Sequence, residues 1–422
     1  MSYVIVGASA AGLSAAQTIR EIDKKSPLTI ISQENFAYSR IGISKYLTGE
    51  ASADQISLAG GGDYENNGME MRFNARVVEV RPPHHAVILE NGEEIPYTKL
   101  LLATGSTPVI PQVPGVGKGG VFTFWTFKDA RAISDFLRRN PSAGRAVVIG
   151  GGLIGFQAAL ALKKLGLRVT VVEKLPSIFP AILDRKAVEI VERKLRQIGL
   201  EMVTGAELQA LLGEENVSAV KIENREIKAE VVILAVGVRP NTDFLKESDI
   251  AVGRGIITDE WMQTSRPDVY AAGDVAEIVD LVDDQKKIMA LWPNAVVGGR
   301  AAGHNMANPQ SISQKFILMN SMHIEDLYLI TLGASWLEEG EGFDLFQISD
   351  PRRNFYRKLI CRGDRLVGAI LVGDTRLAGF LHILMSNQLN MLELLKPLMR
   401  GQGYYHAYFA TRRAGWGEPS LP

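Results

Sequence analysis

Two glycine-rich turns, a carboxylate placed after one of them and a single thiol carry the chemistry this chain offers. The first turn is Tyr3-Val-Ile-Val-Gly7-Ala-Ser9-Ala10-Ala11-Gly12, and the second is Val147-Val-Ile-Gly150-Gly-Gly152-Leu153-Ile154-Gly155. Each follows an apolar strand and opens a helical pattern, the context that makes the G-x-G-x-x-G spacing meaningful. A helix that starts there aims its free N–H groups and positive dipole end at a pyrophosphate. One such turn predicts one dinucleotide. Two on one chain predict two dinucleotides face to face, so that a hydride passes between rings stacked at ~3–3.5 Å.

The residues beyond each turn refine this. Glu173 ends the strand after the second turn, where a carboxylate bonds both ribose hydroxyls and repels a 2′-phosphate, so NADH is favoured over NADPH. Lys174 beside it weakens that preference. In the first turn Ser9 replaces the middle glycine, and its small side chain leaves the pyrophosphate room. Glu34 is the nearest carboxylate there for an adenosine ribose.

Periodicity supplies the elements that hold these residues. Residues 13–20 predict a helix and 28–31 the returning strand of the first βαβ unit. A buried strand from Leu100 ends in the turn Ala103-Thr104-Gly105, and residues 108–114 are a Pro-rich connection. The second unit has strands at 147–149 and 168–172, and a further buried strand at 231–237 runs into Arg239-Pro240-Asn241, the return to the first domain. Residues 264–274 lead towards a helix near 295–306. After Pro309, short strands at 356–361 and 366–372 flank an Arg362-Gly-Asp-Arg365 turn, followed by a helical pattern. The expected fold is α/β: two Rossmann-like, three-layer domains plus a C-terminal α+β domain.

Composition narrows the class. The 422 residues suffice for two or three domains, and 46% hydrophobic with 22% charged residues is ordinary for a globular protein. A net charge of -1 gives no pull towards nucleic acid or anionic membrane. The one cysteine, Cys361, excludes an internal disulfide framework or a four-cysteine cluster, and six histidines without ligand spacing indicate no metal site. The apolar stretch 4–16 is too short to span a bilayer, and the chain opens directly on a strand, so a cytoplasmic location is expected.

With the two turns, Ala103-Thr104-Gly105, Gly237-Val-Arg239-Pro240 and Ala272-Gly273-Asp274-Val275 stand in an order that resembles the pyridine-nucleotide flavin oxidoreductase family, over about residues 1–390. The resemblance implies FAD in a discontinuous domain, 1–113 and 242–310, and NAD(P)H in 114–241, with 311–422 as the C-terminal domain. It implies FAD contacts from Gly7, Ser9, Ala10, Ala11 and Gly12, from Glu34, Arg40 and Lys45, and from Ala103, Thr104 and Gly105. Gly273 and Asp274 join them, with the carboxylate at a strand end before a helix suited to a hydroxyl-rich ribityl chain. Leu291-Trp292-Pro293-Asn294-Ala295 opens a helix aimed at the flavin, where Trp292 either stacks on the ring or packs in the core, and Ala295 lies at the helix start. Gly150, Gly152, Leu153, Ile154, Gly155, Glu173 and Gly237 serve NAD.

Within that family, Tyr38-Ser-Arg40-Ile-Gly-Ile-Ser44-Lys45-Tyr-Leu-Thr-Gly49 is most similar to the ferredoxin- and rubredoxin-reductase branch, including the flavin module of NADH-dependent nitrite reductase. Disulfide reductases carry two redox cysteines in this segment, and coenzyme A disulfide reductases, NADH peroxidases and NADH oxidases carry one. This chain carries neither, and Cys361 is expected to be a buried structural thiol. Electrons then leave the flavin directly for an external acceptor. Lys45 matches a lysine that lies beside the ring and tunes it. The glutamate that usually pairs with it is Gln157 here.

The resulting expectation is an FAD-dependent oxidoreductase passing electrons between NADH and an iron–sulfur carrier: rubredoxin, ferredoxin or a cluster-bearing subunit. From Leu345 onward there are 11 Lys/Arg against 5 Asp/Glu, including Arg352, Arg353, Arg357, Lys358, Arg412 and Arg413, a basic face that would steer an acidic carrier. The aromatic segment 401–416 is expected to anchor a partner or a second copy in a homodimer, or to fold back on its own domain. The alternatives are an NADH oxidase reducing dioxygen, a flavin module of a multisubunit 2-oxoacid or carbon monoxide dehydrogenase, and an NADH-responsive scaffold similar to apoptosis-inducing-factor flavoproteins.

Overall fold

Apolar strands buried on both faces favour parallel sheets covered by helices, and the chain builds two of them. The computed structural model describes residues 1–58, 63–223, 225–338, 340, 342–391 and 394–399. The aromatic segment 401–416, with Arg412 and Arg413, therefore lies outside the described residues. The chain divides into two compact units, Met1–Pro176 with Leu200–Phe316, and Ser177–Gly199 with Ile317–Pro422. In chain order the principal helices are α1 (Ala10–Ile22), α2 (Ile43–Leu47), α3 (Phe127–Arg139), α4 (Leu153–Lys164), α5 (Arg185–Gln197), α6 (Trp292–Ala307) and α7 (Ala378–Ser386). No described helix is long and apolar enough to cross a membrane.

The first unit holds both parallel sheets. One runs Val269–Ala271, Lys99–Leu102, Tyr3–Val6, Leu28–Ile31, Met69–Arg72, and the other Glu201–Thr204, Arg168–Glu173, Arg145–Ile149, Val231–Leu234, Val121–Thr123. Their registers match. Val6 stands opposite both Ile31 and Leu102, and Ile149 opposite both Val172 and Leu234. The strands of each sheet thus end level, which gathers Gly7, Ser32 and Ala103 at one edge and Gly150, Glu173 and Ala235 at the other. An antiparallel ribbon of Ser106–Pro108 and Val238–Pro240 carries the chain between the two halves. It is fastened by Thr104 Oγ1 donating to the Asn241 carbonyl at 3.0 Å and Asn241 Nδ2 donating to the Thr104 carbonyl at 2.9 Å.

The second unit is a five-stranded antiparallel sheet, Met319–Ile324, Leu327–Gly333, Arg365–Val372, Phe355–Arg362, Asp344–Asp350. The expected Arg362–Arg365 hairpin is its centre. Helix α5 belongs to this unit: its N-cap Asp184 accepts from Tyr356 Oη at 2.6 Å and pairs with Lys358 Nζ at 3.1 Å. This corrects two members of the basic face expected from the sequence, while Arg352 and Arg353 are exposed. Arg357 and Lys358 are each 1% exposed, so they contribute nothing to a surface field. Arg357 reaches Asp374 at 3.3 Å and the Leu398 carbonyl at 2.5 Å, and Lys358 donates to the Leu337 carbonyl at 2.6 Å. Buried charges persist only when paired in this way.

Candidate functional site

At the first turn, Gly7 has φ of +121°, and a Cβ there would lie 2.0 Å from the Ala103 carbonyl oxygen. At the second, Gly150 has φ of +116° and the corresponding distance to the Ala235 oxygen is 2.2 Å. Only glycine fits either position. Ser9 caps α1 with no side-chain bond, Gly152 caps α4, and neither helix has an acidic residue in its first turn. Both N-termini therefore keep N–H groups and positive ends for an anion. A Cβ on Gly152 would meet nothing within 4 Å, the open space a diphosphate requires.

Ala10, Ala11 and Gly12 lie buried at the start of α1, and α6 crosses them closely. A Cβ on Gly299 would come within 2.2 Å of the Ala11 carbonyl oxygen. Gly273 (φ +80°) sits beside Ala11 and Ala295, and Trp292 is half-buried at the start of α6. Asp274 is not at a helix start as expected, because it occupies a turn between strands Val269–Ala271 and Ala276–Val279. It is half-buried, and Ser106 Oγ donates to its Oδ2 at 2.9 Å. Burial raises its carboxyl above the usual range, opposed by the Ser106 bond and the Arg40 charge. A carboxylate short of donors beside the first turn fits a hydroxyl-bearing chain such as ribityl.

Glu34 lies near this edge but is already engaged. It accepts from Tyr38 Oη at 3.1 Å and from Arg40 Nη2 at 3.4 Å. Thr104 is drawn into the ribbon fastening described above, and the Gly105 carbonyl accepts from the Asn241 N–H at 3.0 Å. In the second half, Glu173 bridges its own turn: Oε2 accepts from the Gly151 N–H at 2.6 Å and Oε1 from the Leu175 N–H at 2.8 Å. Gly237 (φ +121°) is open on its Cβ side, and Leu153 and Ile154 form the first turn of α4.

Lys45 lies exposed on α2, and among the described residues it makes no salt bridge. Gln157 is exposed on α4. The neighbouring ion pair is Lys164 with Glu50, at 2.7 Å. Cys361 is far from either turn in sequence, 1% exposed in strand Phe355–Arg362 of the second unit. Burial, with Asp344 adding to it, pushes its thiol up to about 11. Nothing in the residue pattern marks Ser106 or Trp125 as parts of the site, and Asn241 is legible only as the return to the first domain, since their bonds join separate segments of the chain. The two cradles thus fit FAD and a nicotinamide dinucleotide: glycine where backbone must approach, helix starts with no side-chain cap bond, and carboxylates for hydroxyls.

Comparison with known proteins agrees. The pyridine nucleotide-disulphide oxidoreductase family matches residues 1–299, and the rubredoxin NAD+ reductase C-terminal domain matches residues 319–389. The chain is 30% identical over 408 residues to a nitrite reductase (NAD(P)H) of Bacillus subtilis, 95% of this chain and 49% of that protein. It therefore spans about half the length of that relative. It is 34% identical over 319 residues to an NADH oxidase of Methanocaldococcus jannaschii, 74% of this chain and 71% of that protein. It is 29% identical over 366 residues to the epsilon subunit of an NADH-dependent phenylglyoxylate dehydrogenase of Aromatoleum evansii, 86% of each. A solved NAD-dependent persulfide reductase from A. fulgidus superposes with TM-score 0.86 at 27% identity, covering 98% of this chain and 83% of that one.

The chain belongs to the pyridine nucleotide-disulphide oxidoreductase family, which binds FAD and NAD(H). Within it, the chain is similar to an NADH oxidase and a persulfide reductase and carries a C-terminal match to rubredoxin NAD+ reductase.

Proposed function

We propose that this chain moves electrons between NADH and an iron–sulfur carrier protein or cluster-bearing subunit through bound FAD, with no thiol in the path. The observation that carries this is Cys361: it is the chain's one cysteine, it is buried in the second unit, and it stays protonated at neutral pH. A relay needs an accessible thiolate beside the flavin. The match of residues 319–389 to a rubredoxin reductase C-terminal domain supports the choice of acceptor class.

When bound, FAD supplies a ring that takes two electrons from a nicotinamide and releases them to an acceptor. The protein's part is to bind and orient. Residues 1–113 and 242–310 hold FAD, with the Gly7 turn and the α1 N-terminus on its diphosphate and Asp274 accepting from ribityl hydroxyls. Residues 114–241 hold NADH, with the Gly150 turn on its diphosphate and Glu173 taking the ribose hydroxyls, which disfavours a 2′-phosphate. Lys45 keeps an exposed ammonium on α2, and Gln157 brings no compensating charge. No residue need act as a general acid or base.

Two specific likenesses keep other acceptors in the test: the NADH oxidase relative points to dioxygen, and the phenylglyoxylate dehydrogenase subunit to a cluster-bearing partner within a larger assembly. Anaerobic stopped-flow reduction by NADH and NADPH, followed by mixing with rubredoxin, ferredoxin or air, separates them. Rapid NADH reduction, slow turnover in air and a large acceleration by an iron–sulfur protein are expected. Turnover in air that no carrier increases would overturn the proposal in favour of an oxidase.

A further inference from the structure

Helix α2 has five residues, far too few to hold its shape alone, so whatever packs on it sets its pose. What packs on it is α3 and α4, from the half of the unit that carries the second turn. Phe127, the first residue of α3, places its ring centroid 5.0 Å from Phe36, 5.8 Å from Tyr38 and 4.5 Å from Tyr46. Its N–H donates to Tyr38 Oη at 3.0 Å, and Tyr38 donates to Glu34. Two residues earlier, the Trp125 carbonyl accepts from Arg40 Nη1 at 3.0 Å, and the Arg40 guanidinium lies 5.9 Å from the Trp125 ring. The indole Nε1 donates to the Ser106 carbonyl at 2.8 Å, and Ser106 Oγ holds Asp274.

One short turn thus reaches both edges of the proposed FAD site. Its own backbone is pinned, because Asp129 accepts from the Trp125 and Thr126 N–H groups at 2.9 and 2.8 Å in the capping box of α3. We infer that Trp125 and Phe127 are positioning residues for the FAD site: from the nicotinamide half, they hold segment 36–46, with Arg40 and Lys45, and Asp274 in the pose that receives the flavin. This rests on the assignment of FAD to the first turn. Neither residue touches the reacting atoms; each acts through groups that would.

The consequence is specific. If the two cations are held near the ring by this turn, loosening it weakens binding of reduced, anionic FAD more than binding of oxidised FAD. The test uses full-length apoprotein titrated with FAD and, anaerobically, with reduced FAD. Trp125→Phe removes one indole donor, and Phe127→Ala removes the ring from its socket. Each is expected to raise the Kd for oxidised FAD at least fivefold and to lower the ratio of reduced- to oxidised-FAD affinity at least threefold. If Phe127→Ala does not fold, Trp125→Phe carries the test alone. Variants that lose thermal stability but keep the affinity ratio of the unsubstituted protein would overturn the inference, leaving a packing contact. Unsubstituted protein that binds no FAD would instead sink the cofactor assignment.

Discussion

The two glycine-rich turns are built alike and covered differently. Both place a positive-φ glycine against a neighbouring strand-end carbonyl, and both open a helix with an uncharged first turn. Over the first, however, α6 packs at backbone contact distance, and Gly273 and Asp274 close in from the adjoining strand end. Over the second, Gly152 faces open space, and the one carboxylate at hand, Glu173, is folded back onto the turn itself. On the proposed assignment, this difference makes the first turn the site of a resident dinucleotide and the second the site of an exchangeable one, set by what the rest of the fold packs beside each turn.

The largest effects should come from breaking each turn in turn. In Gly7→Ala the new Cβ collides with the Ala103 carbonyl and demands an unfavourable backbone, so the purified protein should be colourless. Gly150→Ala carries a collision of nearly equal size, yet should remain yellow and lose reduction by NADH by two or more orders of magnitude. Absorbance at purification and single-turnover reduction check both. A Gly150→Ala protein without flavin would erase the distinction between the sites.

Glu173→Ala comes next. It frees the Gly151 and Leu175 N–H groups and removes the ribose acceptor, so the KM for NADH should rise about tenfold, or ~1.4 kcal/mol, while flavin content stays constant. Discrimination against NADPH should shrink in the same assays. An unchanged NADH to NADPH preference would mean that Glu173 serves only its own turn.

Asp274 sharpens the first site from the acid–base side. Its carboxyl titrates higher in the folded apoprotein than in the unfolded chain. Between those two values the native state binds the extra proton, so apoprotein stability falls as pH rises through that window. Asp274→Asn should remove this slope in the Tm-against-pH profile while weakening FAD binding. A slope that survives the substitution would place its origin elsewhere.

How much of this was readable in the residues depends on range. Strands at 3–6, 147–149 and 231–234 announce themselves because each is a continuous apolar run with a glycine turn beside it. Arg357 and Lys358 misled because charged side chains are nearly always at the surface, and their partners Asp374 and Asp184 stand 17 and 174 residues away in the chain. Helix α5 has an apolar stripe, but a stripe does not say which sheet covers it. The Trp125, Ser106 and Asp274 contacts were invisible for the same reason: each joins segments that only the folded crossover brings together.

The smallest expected effect bears on both turns at once. If either dinucleotide communicated with its acceptor through sulfur, Cys361 would be the only candidate. Cys361 sits in the strand paired with both Asp344–Asp350 and Arg365–Val372, and burial keeps its thiol protonated. Cys361→Ala should therefore cost ~1 kcal/mol of stability through a lost contact and leave flavin reduction and carrier turnover within twofold. Thermal unfolding and steady-state assays on one preparation separate the two quantities. A turnover loss well beyond twofold with intact flavin content would put a thiol back into the electron path, and the contrast between a resident and an exchangeable dinucleotide would no longer suffice to describe how electrons leave.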